Sequence, residues 1–257
     1  MVSEVRVFDD AEQLNAAAAE RMAAAALTAV GERGRFLLVL AGGSTPRGAY
    51  AMLAAAYGES IDWGRVHVFW GDERCVAPDH PVSNYRMAAE SLLRRVDLPD
   101  ANVHRIRGEE PAETAAATYD RELADFFRAA TPADIGSEST FDLVLLGIGE
   151  DGHTASLFPD SPALAATGWA APAQAPESAE VVERVTLTVP AINSARECLF
   201  LVAGAAKRHV IQQLLASPAI ADDGASSPLP AARVHPRGQS LWFLDAAAAA
   251  RLPLDAI

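Results

Sequence analysis

The segment with the clearest capacity for chemistry is Gly147-Ile-Gly-Glu-Asp151-Gly-His153, where an acid and a histidine lie among glycines. Histidine titrates near neutral pH, so an accessible imidazole can take a proton from water and later return it. We therefore predict that His153 is a general base. Asp151 either orients and stabilises the imidazole or only shapes the loop, and the sequence leaves both alternatives open.

A second candidate is Gly42-Gly43-Ser44-Thr45-Pro46. Paired glycines let backbone approach a ligand, Thr45 suits a helix N-cap, and Pro46 suits the first helical position. The amides of such a helix start bind phosphate well, although the segment equally fits an ordinary strand-to-helix turn. It is neither a P-loop, which needs Gly-Lys-Ser/Thr, nor a serine nucleophile elbow, because Pro46 fills the last glycine position.

The third candidate is Gly71-Asp72-Glu73-Arg74. A guanidinium offers planar, bidentate recognition of phosphate or carboxylate, so Arg74 is a candidate anion ligand. Asp72 and Glu73 could orient Arg74 or contact hydroxyl groups. The alternative is an internal salt bridge in a loop.

Two cofactor classes are disfavoured. Gly147, Gly149 and Gly152 match the dinucleotide fingerprint, but Pro159 and Pro162 would interrupt the helix that this fingerprint must open. The histidines that could bind a metal are scattered at His67, His80, His104 and His153. No spacing among them puts two ligands on one helical face, so we predict neither a nicotinamide cofactor nor a metal.

These segments follow apolar runs that alternate with helical patterns. The predicted strands are Val5–Phe8, Phe36–Ala41, Val66–Trp70, Phe141–Leu146, Arg184–Thr188, Cys198–Ala203 and Ser240–Leu244. The predicted helices are one from Asp9 or Asp10 to about Gly31 or Gly34, then Pro46–Tyr57, Val82–Arg95, Ala112–Ala129 and Ala205–Ala216. This order predicts an α/β, Rossmann-like fold with a mainly parallel central sheet flanked by helices on both faces. Ligands of such sheets bind beyond the carboxyl ends of the strands.

Composition limits the function classes. Lys and Arg number 21 against 34 Asp and Glu, a net charge of -13 that disfavours a nucleic-acid surface. No apolar run approaches the roughly 18 residues of a membrane span, and an acid stands where a signal peptide carries bases. The widely spaced Cys75 and Cys198 fit a reducing compartment. We therefore expect one cytoplasmic domain over residues 1–257, with loops at 131–140, 158–178 and 217–238, working as a monomer or small homo-oligomer.

Several stretches together resemble the 6-phosphogluconolactonase family, within the wider group of sugar-phosphate isomerases and deaminases. They are LAGGSTP (40–46), WGDERCVAPDHPVSNYRMA (70–88), FDLVLLGIGEDGHTASLFP (141–159), RVTLT (184–188) and the strand around Trp242 and Asp245. The resemblance spans most of the chain. It implies the fold of that group and hydrolysis of 6-phospho-D-glucono-1,5-lactone, a step of the oxidative pentose phosphate pathway, without a cofactor.

The resemblance also implies roles for single residues. The catalytic histidine of the family falls on His153, its phosphate loop on Gly42 to Ser44, and its arginine on Arg74. A substrate-binding lysine falls on Lys207, which could equally be a solvated residue at a helix start, and Arg184 matches a family pattern without an assigned role. The expected catalytic pair is His153 and Asp151, and the expected substrate-binding set is Gly42, Gly43, Ser44, Thr45, Asp72, Arg74, Arg184 and Lys207.

Two other functions are weighed against a lactonase. The related isomerases and deaminases carry an acid five residues after the histidine, where this chain has Phe158. Losing that carboxylate leaves their ring-opening chemistry without a proton donor and acceptor. A non-catalytic sugar-phosphate sensor is disfavoured because no DNA-binding segment is recognisable and the net charge is acidic.

Overall fold

The structure is a computed structural model that describes residues 4–129, 131–132, 140–215 and 227–253. The strands, in chain order, are Glu4–Phe8 (β1), Phe36–Leu40 (β2), Val66–Trp70 (β3), Asp72–Arg74 (β4), Val103–His104 (β5), Leu143–Leu146 (β6), Ala170–Gln174 (β7), Glu183–Leu187 (β8), Glu197–Val202 (β9) and Gln239–Asp245 (β10). The α-helices are Ala11–Arg33 (α1), Ser44–Tyr57 (α2), Asn84–Ser91 (α3), Ala112–Phe127 (α4), Val189–Asn193 (α5), Arg208–Leu215 (α6) and Ala246–Ala249 (α7).

The main sheet has the strand order β1-β10-β9-β6-β2-β3-β5, and all its neighbouring strands are parallel. Every residue of β2, β6 and β9 is buried, so both faces of the sheet centre are covered. This arrangement explains the apolar runs without polar alternation. The predicted fold class, α/β with a mainly parallel central sheet, is confirmed.

Local signals set the long first helix. The Asp10 side chain accepts a hydrogen bond from the Gln13 backbone N–H, and Gly34 ends α1 in the left-handed conformation at φ 75°. These are the roles that aspartate and glycine commonly fill at helix ends. Of the paired alternatives that the sequence left open, Asp10 and Gly34 are the ones observed.

A second sheet was not predicted. It has the order β4-β8-β7 and is antiparallel, and it pairs Asp72 with Thr186 and Arg74 with Arg184. The predicted strand Arg184–Thr188 lies in this sheet rather than beside the parallel strands.

The predicted loop 158–178 contains β7, so that prediction was wrong over this strand. The sequence of β7, AAPAQ, buries Ala171 and Ala173 but exposes Pro172 and Gln174. Alanine and proline carry little strand signal, and proline is tolerated on an edge strand such as this one.

Two predicted helices are shorter than expected. Val82–Arg95 divides into α3, which Ser83 caps, and a single 3-10 turn at Leu93–Arg95. Ala205–Ala216 begins as a 3-10 turn before α6, and Ala216 lies outside the described residues. Parts of the predicted loops 131–140 and 217–238 also lie outside them, at 133–139 and 217–226. No helix in the described ranges is long and apolar enough to cross a membrane.

Candidate active site

A cleft of about 570 Å³ opens where β2, β3 and β6 end at their carboxyl edge. Eight of the ten predicted site residues line it: Gly42, Gly43, Asp72, Arg74, Asp151, His153, Arg184 and Lys207. Ser44 and Thr45 do not line the cleft and lie in the first turn of α2. The cleft thus lies where ligands bind in open parallel sheets.

The imidazole of His153 is held by Asp151. Its Nδ1 lies 2.6 Å from Asp151 Oδ1, and the same oxygen accepts the His153 backbone N–H at 3.1 Å. A carboxylate can only accept, so we assign the proton to Nδ1 and the free lone pair to Nε2. The His153 side chain is 32% exposed, which keeps it accessible to solvent and ligand. The Phe158 ring packs against it, with centroids 4.6 Å apart.

The glycines around His153 are required by the loop itself. The Gly149 N–H donates to His153 O at 2.8 Å, which closes the loop, and Gly152 adopts φ 83°. A Cβ on Gly149 would lie 2.1 Å from His153 Nδ1. No helix begins between Gly147 and Ser161, all of which the structure describes, so these glycines do not open a nucleotide-binding helix.

The segment at residues 42–45 is a tight strand-to-helix turn. Gly43 is the N-cap of α2 at φ 106°, without a side-chain cap, and the helix begins at Ser44. The prediction that Thr45 caps this helix was therefore wrong, because Gly43, two residues earlier, fills the cap position. A Cβ on Gly42 would lie 2.0 Å from Asn84 Oδ1, so only glycine allows this close approach.

Two guanidiniums lie side by side in the small sheet. Arg74 donates to Val82 O at 2.6 Å, and Arg184 Nε donates to Val181 O at 2.9 Å. Neither makes a salt bridge within the described part of the chain. Burial, and next the charge of Arg74, lower the pKa of Arg184. Two adjacent cations without carboxylate partners favour an anion between them.

A third cation, Lys207, follows β9 in a short 3-10 turn. The turn begins at Gly204, which adopts φ 97°. The buried carboxylate of Asp245 holds it: one oxygen accepts the Gly204 N–H at 2.9 Å, and the other accepts the Ala248 N–H at 2.7 Å. Asp245 therefore fixes the chain direction that brings Lys207 to the cleft.

The carboxylates beside Arg74 do not pair with its guanidinium, although Glu73 accepts the Arg74 backbone N–H at 2.8 Å. Asp72 accepts from Asn84 Nδ2 at 3.1 Å and from Ser156 Oγ at 2.6 Å. Glu73 is buried and accepts the backbone N–H groups of Asn84 and Tyr85, both at 2.7 Å. Burial raises the pKa of Glu73, and these hydrogen bonds oppose the rise.

Sequence reasoning missed Asn84 and Ser156, which both line the cleft. Neither belongs to a recognisable catalytic pattern, and Asn84 lies 12 positions along the chain from its carboxylate partner, Asp72. The available signal was their position inside two of the stretches that carry the family resemblance, 70–88 and 141–159. No group of three or more His, Cys, Asp or Glu side chains suited to a metal ion occurs in the part of the chain that the structure covers.

Comparison with known proteins identifies the family. The model of the glucosamine-6-phosphate isomerases/6-phosphogluconolactonase family matches residues 9–243. The chain belongs to this family. A 6-phosphogluconolactonase of Synechocystis is 42% identical over 84% of this chain and 85% of the relative. One of Nostoc is 41% identical over 98% of this chain and 99% of the relative.

Solved structures of the family share the fold. A Trypanosoma brucei 6-phosphogluconolactonase superposes with a TM-score of 0.81 at 28% identity, over 97% of this chain and 98% of that one. The Thermotoga maritima enzyme gives a TM-score of 0.75 at 31% identity, over 94% and 98%. A monomeric glucosamine-6-phosphate deaminase gives 0.78 at 21% identity, which shows a common fold.

Phe158 bears on which branch of the family this chain resembles. Its buried ring contacts the His153 imidazole at the position where the resemblance places an acid in isomerases and deaminases. The carboxylates that line the cleft are Asp72, Glu150 and Asp151. In this chain an apolar ring therefore covers the face of the imidazole that the acid of the isomerases and deaminases would approach.

Proposed function

We propose that this chain hydrolyses 6-phospho-D-glucono-1,5-lactone to 6-phospho-D-gluconate, a step of the oxidative pentose phosphate pathway. The observation that carries the proposal is a solvent-accessible His153–Asp151 pair in one cleft with three cationic side chains. The names of the most similar relatives support the substrate. The substrate is a small phosphorylated sugar lactone, and nucleic acid and membrane have no part in the reaction.

Neutral His153 acts as the general base. Its Nε2 takes a proton from a water molecule while the water oxygen attacks the lactone carbonyl carbon C1. The tetrahedral intermediate then collapses, the bond from C1 to the ring oxygen breaks, and the imidazolium returns the proton to that oxygen. The product is an open-chain hydroxy acid. General acid–base catalysis of this kind contributes about 10²–10⁴-fold.

Asp151 orients this base and stabilises its charged form. The 2.6 Å contact to Nδ1 fixes the tautomer that leaves Nε2 as the acceptor, and it strengthens when the ring becomes an imidazolium. A lactone carbonyl is already electrophilic, so the proposed reaction uses no cofactor or metal.

The cations and the glycine turn hold the phosphate. Arg74, Arg184 and Lys207 line the cleft together with Gly42 and Gly43. Binding of the phosphate at these groups positions the reacting carbon C1 relative to the base. Part of the binding free energy is thereby used to orient the substrate. Arg74 or Lys207 could instead stabilise the carbonyl oxygen as it gains negative charge.

An assay with freshly generated lactone tests the proposal. Wild-type protein should release acid at a rate well above spontaneous ring opening, and an amino-sugar phosphate should yield neither ammonia nor ketose. Ammonia or ketose formation would assign the chain to the isomerase and deaminase branch. Binding of sugar phosphates without turnover would make it a sensor.

The setting of the enzyme follows the same proposal. We infer a cytoplasmic enzyme in which residues 1–257 act as one domain, as a monomer or small homo-oligomer. Cys75 and Cys198 are both free thiols, which suits a reducing compartment.

A further inference from the structure

Ser156 joins the loop of His153 to the small antiparallel sheet. Its Oγ–H donates to Asp72 Oδ2 at 2.6 Å, and its backbone N–H donates to Thr186 Oγ1 at 3.2 Å. Asp72 and Thr186 are themselves partners across β4 and β8. One residue therefore contacts both members of one cross-strand pair.

The same two strands carry the guanidiniums of the cleft. Arg74 and Arg184 form the cross-strand pair two residues further along β4 and β8. Ser156 in turn lies three residues after His153 in a loop closed by its own hydrogen bonds. The two hydrogen bonds of Ser156 thus connect the loop of the imidazole directly to the strands that carry the guanidiniums.

These hydrogen bonds are well suited to setting a distance. Ser156 is 1% exposed, so water does not compete for its hydroxyl group, and a contact of 2.6 Å to a carboxylate is a strong hydrogen bond. Asp72 is buried as well, and its other oxygen accepts from Asn84. Loss of the hydroxyl would leave a buried carboxylate oxygen without that donor and free the loop to shift.

We propose that Ser156 is a positioning residue that sets the distance between the His153 imidazole and the Arg74–Arg184 pair. The inference rests on the proposed function, because it concerns how phosphate binding at the arginines aligns the lactone carbon with the base. Misplacement of about 1 Å costs on the order of 100-fold in rate for an oriented reaction. A substrate without phosphate is not bound at the arginines, so its rate of hydrolysis does not depend on this distance.

The test compares Ser156→Ala with wild type on two substrates, the phosphorylated lactone and the corresponding phosphate-free gluconolactone. The ratio of their kcat/KM values should fall about 10-fold or more in the variant, mainly through kcat on the phosphorylated lactone. The affinity for 6-phosphogluconate, measured by calorimetry, should change by less than about threefold, because Arg74 and Arg184 remain in place. Ser91→Ala is the matched control: Ser91 is also buried, and its hydroxyl donates to Met87 O within α3.

A second variant keeps the proposal testable if Ser156→Ala does not fold. Thr186→Val removes the acceptor of the Ser156 N–H from the opposite strand and should lower the same ratio. Equal loss on both lactones in the folded variants, or the same fall in ratio for Ser91→Ala, would overturn the positioning role. Wild-type protein that fails to hydrolyse the phosphorylated lactone would instead refute the proposed function itself.

Discussion

At the scale of single residues, one oxygen of Asp151 performs two tasks. It accepts both the ring Nδ1–H and the backbone N–H of His153, so the imidazole is tied to its own main chain. In the proposed mechanism, a base that is held before the substrate arrives loses less entropy in the transition state. Phe158 also packs on the imidazole ring. We therefore expect the orientation of the His153 ring to depend on the backbone of the loop that carries it.

Gly149→Ala tests that dependence. The added methyl group would lie 2.1 Å from His153 Nδ1 and 2.4 Å from Asp151 Oδ1, so the pair must move. We expect kcat to fall about 100-fold, with a smaller change in KM. Steady-state kinetics on the phosphorylated lactone, corrected for spontaneous opening, measure both constants.

Gly147→Ala is the comparison for that variant. A Cβ on Gly147 meets nothing within 4 Å, so its kcat should fall much less than that of Gly149→Ala. Similar kcat values for the two variants would contradict the steric argument.

At the scale of elements, the turn after β9 depends on Asp245, which holds Gly204 and caps α7. Asp245→Ala should destabilise the protein by about 1 kcal/mol, as expected for a lost N-cap. It should also raise KM for the phosphorylated lactone, because Lys207 is no longer held at the cleft. Denaturant unfolding and steady-state kinetics measure the two effects.

Asp10→Ala is the matched control, since Asp10 also caps a helix through its side chain. It should show a similar loss of stability and an unchanged KM. A raised KM in Asp10→Ala, or an unchanged KM in Asp245→Ala, would contradict the positioning of Lys207 by this carboxylate.

The sequence predicted the parallel sheet better than the small one. The central strands β2, β6 and β9 of the main sheet are mainly apolar and fully buried, which is the signal that a strand covered on both faces produces. In contrast, β4 is the charged tripeptide Asp72–Arg74, and β7 is rich in alanine and proline. Such strands exist because of pairing between distant residues, which no local pattern encodes.

The same contrast holds for the cleft. His153, Arg74 and the glycine turn could be predicted because each follows a strong strand signal. The contacts of Ser156 with Asp72 and Thr186 could not be predicted. Asp72 lies 84 positions and Thr186 lies 30 positions from Ser156 along the chain, and both belong to the unpredicted sheet. The functional roles of all these residues stay predictions.

At the scale of the whole molecule, folding stability should depend on pH through the edge of the main sheet. His67 Nδ1 lies 3.1 Å from His104 Nε2, and Glu122 contacts the other nitrogen of His104 at 2.8 Å. Burial, followed by the charges of His104 and Arg35, lowers the pKa of His67 to about 4. Between pH 6.5 and about 4 the unfolded chain therefore binds the proton at this site and the folded chain does not.

It follows that the contribution of His67 to stability is present above pH 6.5 and is lost as pH falls towards 4. His67→Gln removes this titration, so its free energy of unfolding should fall less steeply than that of wild type over this range. Denaturant unfolding at several pH values measures the difference. Parallel curves for the two proteins would contradict the assignment.

The net charge of -13 also bears on substrate capture. An anionic lactone approaches a negatively charged molecule, so the local cations of the cleft must provide the attraction. Arg74, Arg184 and Lys207 are concentrated at one site. This concentration supports a phosphate-binding cleft more strongly than any single cation would.

The most direct test of the central claim is the kcat of His153→Ala on freshly generated 6-phosphogluconolactone, with spontaneous opening subtracted. The proposal predicts a loss of about 10²–10⁴-fold, with affinity for 6-phosphogluconate largely retained. An unchanged kcat in the folded variant would show that this imidazole does not activate water.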